Sequence, residues 1–150
     1  MIPNSEFQNP RSVDFLLVED NPDHVELILK VLQDNNVLNP VHVVTNGEKA
    51  LDFLYQREEY ADAPRLGLIL LDIKLPRIDG TEVLRRIKAD PKFESIPVVM
   101  LTSSVSEQEM VESYSFGADS YIIKPVAFEQ FAKVIKDLNL YWQVINVLPT

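Results

Sequence analysis

The side chains best equipped for chemistry sit at the ends of short apolar runs. Val13-Asp14-Phe15-Leu16-Leu17-Val18 runs into Glu19-Asp20, Leu68-Ile69-Leu70-Leu71 into Asp72, Pro97-Val98-Val99-Met100-Leu101 into Thr102, and Ser120-Tyr121-Ile122-Ile123 into Lys124-Pro125. As parallel strands of one sheet, these runs would share a rim at their carboxyl ends, where open α/β sheets bind their ligands. Three carboxylates, one hydroxyl and one ammonium would meet there. Two carboxylates about 4 Å apart repel by about 4 kcal/mol at an effective dielectric of about 20. Such a cluster therefore takes up protons or is neutralised by a cation. An all-oxygen donor set without His or Cys suits Mg2+, which takes one or two carboxylates and keeps several waters. A carboxylate facing that ion is placed as a nucleophile toward phosphorus, with Thr102 and Lys124 disposed for the phosphoryl oxygens.

The elements that must position these groups are legible as periodicity. A fifth run, Val41-His42-Val43-Val44, completes a set of five that alternate with five amphipathic stretches. The runs beginning at Val13, Leu68 and Pro97 are almost continuously apolar, as expected of central parallel strands covered on both faces. The other two are shorter or more mixed and suit sheet edges. Asp23–Leu32 sets Val25, Ile28, Leu29 and Leu32 on one helical face, Gly47–Arg57 sets Ala50, Leu51 and Leu54, and Gly80–Ala89 sets Val83, Leu84 and Ile87. A helix over Ser106–Ser115 is predicted to open with a capping box, Ser106 with Glu109. From Ala127 a final helix turns Phe128, Phe131, Val134, Ile135 and Leu138 inward. Glu58–Arg65 is longer than a tight turn needs and reads as a surface excursion. The alternation predicts a doubly wound (βα)5 α/β sandwich.

With 150 residues, 46% of them hydrophobic, the chain has the profile of one globular domain. Fourteen Lys and Arg against 23 Asp and Glu give a formal charge of −9, which argues against a general phosphate-backbone binder. No cysteine is present, which excludes disulfides, thiolate metal sites and cysteine nucleophiles and fits a cytoplasmic setting. No run approaches the length of a membrane helix, and the first dozen residues lack the basic start and apolar centre of a secretory signal. Residues 1–12 read as a flexible tail, 13–138 as the domain and 139–150 as an extension of the last helix. His24 and His42 are expected to be structural or exposed, and Arg85-Arg86 to be a solvated helix face rather than a nucleic-acid patch.

Four motifs carry a family resemblance: LLVEDN at 16–21, LLDIKLPRIDG at 70–80, VVMLTSS at 98–104 and YIIKP at 121–125. In order and spacing the chain resembles the receiver domain of two-component response regulators over about residues 13–138. The resemblance implies a flavodoxin-like sheet of order 2-1-3-4-5 and a phosphoryl group accepted by Asp72 from the phosphohistidine of a sensor kinase. It makes Asp20, Asp72 and the backbone carbonyl of Lys74 the ligands of Mg2+, with Mn2+ as a substitute and Glu19 acting through water. It assigns Thr102 and Lys124 to the phosphoryl oxygens, Tyr121 to a rotamer switch coupled to Thr102, and a cis bond to Lys124-Pro125. Glu19 departs from the more common Asp, while Lys74 and Ser104 flank the path of a hydrolytic water.

The excursion at 58–65 and the apolar tail resemble the small receivers that serve phytochromes. The expected behaviour is that of a phosphoacceptor without an output domain, not a turnover enzyme. A homodimer is expected through the fourth helix, fifth strand, fifth helix and tail, where Leu140, Tyr141, Trp142, Val144, Ile145, Val147 and Leu148 add apolar surface. Two other readings compete. A Mg2+-dependent aspartyl phosphatase resembles a DxDx[TV] pattern, but Lys74 stands where its second acid belongs. A pseudo-receiver scaffold would not need the intact acid set.

Overall fold

The computed structural model describes residues 13–140 and Val144. Five parallel strands, β1 (Asp14–Val18), β2 (Val41–Val44), β3 (Leu66–Asp72), β4 (Val98–Thr102) and β5 (Ser120–Ile123), form one sheet of order β2-β1-β3-β4-β5. Five helices alternate with them: α1 (Pro22–Asp34), α2 (Gly47–Leu54), α3 (Gly80–Ala89), α4 (Val105–Tyr114) and α5 (Phe128–Asp137). The expected architecture and strand order are those observed, with the two mixed strands at the edges. Among the described residues no helix is long and apolar enough to cross a membrane.

Alternation along the strands divides the interior in two. Leu16, Val18, Ile69, Leu71, Val98 and Met100 face a cluster closed by α2 and α3 and by Val111 of α4. Phe15, Leu17, Leu68, Leu70, Val99 and Leu101 face the other, closed by Ile28 and Leu32 of α1 and Phe131, Val134 and Ile135 of α5. The pairing Asp72 with Leu101 and Thr102 with Ile123 brings the polar residues after each run to one rim.

Local chemistry sets the helix starts. The Asn21 side chain accepts from the backbone of Asp23 at 2.9 Å and of His24 at 3.4 Å, and Pro22 opens α1. α4 begins one residue before its predicted start. Ser104, not Ser106, is its cap and accepts from Glu107 N at 3.1 Å, while Glu107 reaches back to Ser103 N at 2.7 Å. Ser104-Val105-Ser106-Glu107 has the same Ser-x-x-Glu spacing as the predicted box. It lies directly after β4, where the turn needs its amide groups satisfied. α2 ends at Leu54 rather than Arg57, and residues Glu58–Tyr60 form a separate 3-10 turn with Tyr60 packed on the core. Gly80 is required by close approach: its amide donates to Ile73 O at 2.7 Å, and a Cβ there would lie 2.0 Å from Asp72 O. That contact folds the β3–α3 loop, with Lys74 on it, back over the strand end.

The tail differs from expectation in one respect. Leu140 is buried against the α1/α5 cluster and Val144 packs on it, so these two belong to the domain's own core. Tyr141, Trp142, Ile145, Val147 and Leu148 lie outside the described residues.

Candidate functional site

The rim gathers Glu19 from the end of β1, Asp20 from the β1–α1 turn, Asp72 from β3, Thr102 from β4 and Lys124 from the end of β5. One carboxylate oxygen from each of Glu19, Asp20 and Asp72 lies within 4.8 Å of the others. Glu19 is fully buried and accepts from Asn21 N at 3.2 Å, Asp72 is nearly buried, and Asp20 is exposed. The Lys124 ammonium is hydrogen-bonded to Glu19 Oε1 and lies 3.1 Å from Asp72 Oδ2. The bond between Lys124 and Pro125 is cis.

The electrostatics are unbalanced. Burial and then the neighbouring Glu19 charge raise the Asp72 carboxyl from 3.8 to about 6, although Lys124 opposes the shift. Burial also acts upward on Glu19, but the hydrogen bond from Lys124 and the Asn21 amide outweigh it, and Glu19 sits below its ordinary value. Burial disfavours the Lys124 charge, yet Glu19 and Asp72 together raise its pKa. One ammonium thus serves two buried carboxylates and leaves Asp72 under-compensated. Thr102 adds a second deficit: its Oγ1 is completely buried and, among the described residues, has no hydrogen-bond partner. Three oxygen-donor acids, one of them held well above its ordinary pKa, fit a hard divalent cation.

Two expected residues stand outside the acid cluster. Lys74 points to solvent, with its Nζ 3.6 Å from Glu107 Oε2. Tyr121 lies half-buried on β5 against the α2/α3 cluster, its hydroxyl raised in pKa by burial and by Glu112 of α4. Two further residues adjoin the site. His24, expected to be structural or exposed, is exposed, and its Nδ1 lies 3.2 Å from Lys124 Nζ. Glu107, whose carboxylate binds Ser103 N and Oγ and approaches Lys74, joins the turn after Thr102 to the loop after Asp72.

The model of the response regulator receiver domain matches residues 15–136. The chain belongs to the response regulator receiver family. Over 145 residues this receiver is 36% identical to "Response regulator Rcp1" of Synechocystis, covering 97% of this chain and 98% of that protein. Its fold is similar to that of the bacteriophytochrome response regulator AtBRR, with 44% identity, a TM-score of 0.85, and 92% of this chain and 100% of that chain covered. It is also similar to the Mn(2+)-bound form of Rcp1, with 35% identity, a TM-score of 0.71, and 92% of this chain and 99% of that chain covered. Receiver domains are signalling modules that bind Mg2+ or Mn2+ in an acidic pocket of this kind.

Proposed function

We propose that Asp72 is the phosphoryl acceptor of this receiver and that Glu19, Asp20, Asp72 and the Lys74 carbonyl hold Mg2+ or Mn2+, Glu19 through water. The observation that carries the reading is the under-compensated acid cluster beside a buried, unpartnered Thr102 hydroxyl. Bound there, the cation supplies positive charge to the carboxylates and to the transferring phosphoryl oxygens. An Asp72 oxygen forms the P–O bond while the P–N bond of a phosphohistidine breaks and its electron pair returns to the imidazole. Thr102 donates to one phosphoryl oxygen and Lys124 to another, which ends the orphaned state of the hydroxyl. With Thr102 drawn toward the site, Tyr121 turns into the space beneath α4, and the face formed by α4, β5 and α5 changes shape.

The stimulus is light, delivered by a phytochrome-type sensor kinase. The bacteriophytochrome response regulator AtBRR matches over its whole length, which supports that assignment. The α4–β5–α5 face, which exposes Val105, Met110 and Tyr114, pairs two copies together with the tail.

Incubation with Mg2+ and acetyl phosphate is expected to add one hydroxylamine-labile phosphoryl group, seen by intact mass, and Asp72→Asn to abolish it. An unchanged adduct in that variant overturns the acceptor assignment. Phosphotransfer from a light-responsive histidine kinase, in competition with kinases of other stimuli, tests the partner. Sedimentation at tens of micromolar with and without phosphodonor tests the dimer, which a monomer in both conditions would exclude.

A further inference from the structure

Lys124 is held by more than the acid cluster. Its ammonium has three N–H donors and three surrounding acceptors: Glu19 Oε1, Asp72 Oδ2 at 3.1 Å and His24 Nδ1 at 3.2 Å. An ammonium has no lone pair, so Lys124 donates and the imidazole accepts. Nδ1 is then bare and the ring hydrogen sits on Nε2. The same nitrogen is 3.6 Å from Glu19 Oε1, beyond hydrogen-bond distance.

We infer that His24 is a positioning residue for Lys124, the third acceptor that keeps the ammonium aimed at the Asp72 rim. The inference rests on the phosphoacceptor reading and deepens it. Two of the three acceptors are carboxylates whose oxygens are wanted elsewhere once the site is loaded. The imidazole is not drawn away in the same manner, since among the described residues it meets only Lys124 and Glu19. It also rides on a fixed element. His24 is the third residue of α1, and its own amide is held by the Asn21 cap. His24 also joins Leu27, Ile28, Ser103, Pro125 and Val126 around a cleft of about 290 Å3 into which Lys124 faces. That wall is mainly apolar, with the Ser103 hydroxyl as the other side-chain acceptor on it. Without His24 the four-carbon stem regains its freedom when the carboxylates are engaged.

Two variants and one spectroscopic measurement test this. His24→Leu keeps bulk but removes the acceptor, whereas His24→Asn places Oδ1 at the same number of bonds from the backbone as Nδ1. With saturating Mg2+ and acetyl phosphate, His24→Leu is expected to lower the maximal phosphorylation rate about fivefold, the kinetic equivalent of one hydrogen bond. The half-saturating Mg2+ concentration should stay unchanged, and His24→Asn should recover most of the rate. In the metal-free wild type at pH 8, nitrogen-15 shifts should show the His24 proton on Nε2. A proton on Nδ1, a His24→Leu rate equal to wild type, or a His24→Asn rate as low as that of His24→Leu overturns the inference while leaving Asp72 as acceptor. A wild type that takes no phosphoryl group overturns both.

Discussion

Replacing the proposed acceptor should make the metal-free protein more stable, because Asp72 is a carboxylate that folding places badly. Its pKa rises from 3.8 to about 6, chiefly through burial and the Glu19 charge. Each pKa unit is about 1.4 kcal/mol, so ionised Asp72 costs the fold about 3 kcal/mol. Its side chain is only 12% exposed, so little of that cost is screened away. The sign follows from linkage. The folded state holds the proton more tightly than the unfolded chain, so the penalty is absent below pH 3.8, grows through the window up to about 6 and is complete above it. Asp72→Asn keeps the shape without the charge. At pH 8 without divalent cation it should gain about 3 kcal/mol, or about 6–12 °C in Tm for a chain of this size. At pH 3.8 and below the difference should vanish. Mg2+ at about a hundred times its Kd stabilises a binding-competent fold by about 2.7 kcal/mol, so the cation should close most of the gap by rescuing the wild type alone. Urea unfolding at several pH values, with EDTA and with Mg2+, measures each quantity. A variant no more stable than wild type at pH 8, or a gap independent of pH, refutes this account of the cluster.

Other perturbations follow from the same geometry. Lys124→Met leaves two buried carboxylates without their ammonium, so metal-free stability should fall by about 3–5 kcal/mol while Mg2+, freed of a competitor, binds more tightly by calorimetry. Asp20→Ala removes an exposed acid and should change stability by less than about 0.5 kcal/mol, yet weaken Mg2+ binding more than Glu19→Ala does. Glu107→Ala should cost about 1 kcal/mol and speed amide exchange in α4, whose grip on the core depends on Val111. A chain ending at Leu138 should be about 2 kcal/mol less stable in urea than one ending at Val144, because Leu140 is buried.

The sheet was legible because its central strands are apolar on both faces, and residues 16–18, 69–71 and 98–101 admit no amphipathic alternative. The site was legible for a related reason: where an apolar run stops at Asp72 or Thr102, a polar residue is held at a strand end by the backbone on either side of it. Legibility failed where a signal was local and duplicated. Two Ser-x-x-Glu boxes overlap at 104–109, and only the need to satisfy the turn after β4 selects Ser104 with Glu107. His24 was illegible for another reason. Its role depends on Lys124, one hundred residues away in sequence, and a contact of that range leaves no trace in periodicity. The tail was read as surplus apolar surface because the α5 stripe looked complete at Leu138, whereas the turn after α5 carries Leu140 back into the α1/α5 cluster.

Cost and reactivity have one origin in this site. Burial that raises the Asp72 pKa destabilises the metal-free fold, and the same burial withholds water that would otherwise solvate the proposed nucleophile. Lys124 relieves the strain incompletely, since its single charge is shared between Glu19 and Asp72 and steadied by the His24 imidazole. A second lysine, or an arginine locked bidentate on Asp72, would make the resting protein more stable and its carboxylate less available. On the proposed reading the buried Thr102 hydroxyl is the counterpart on the product side, a donor that lacks an acceptor among the described residues. Each deficit would, on the proposed reading, be relieved when a phosphoryl group joins the site: the donor would gain its acceptor, and Lys124 would gain oxygens that do not belong to Glu19. On that reading the resting state is poised by what it lacks, and the free energy released on filling those deficits would be available to move β5 and α4.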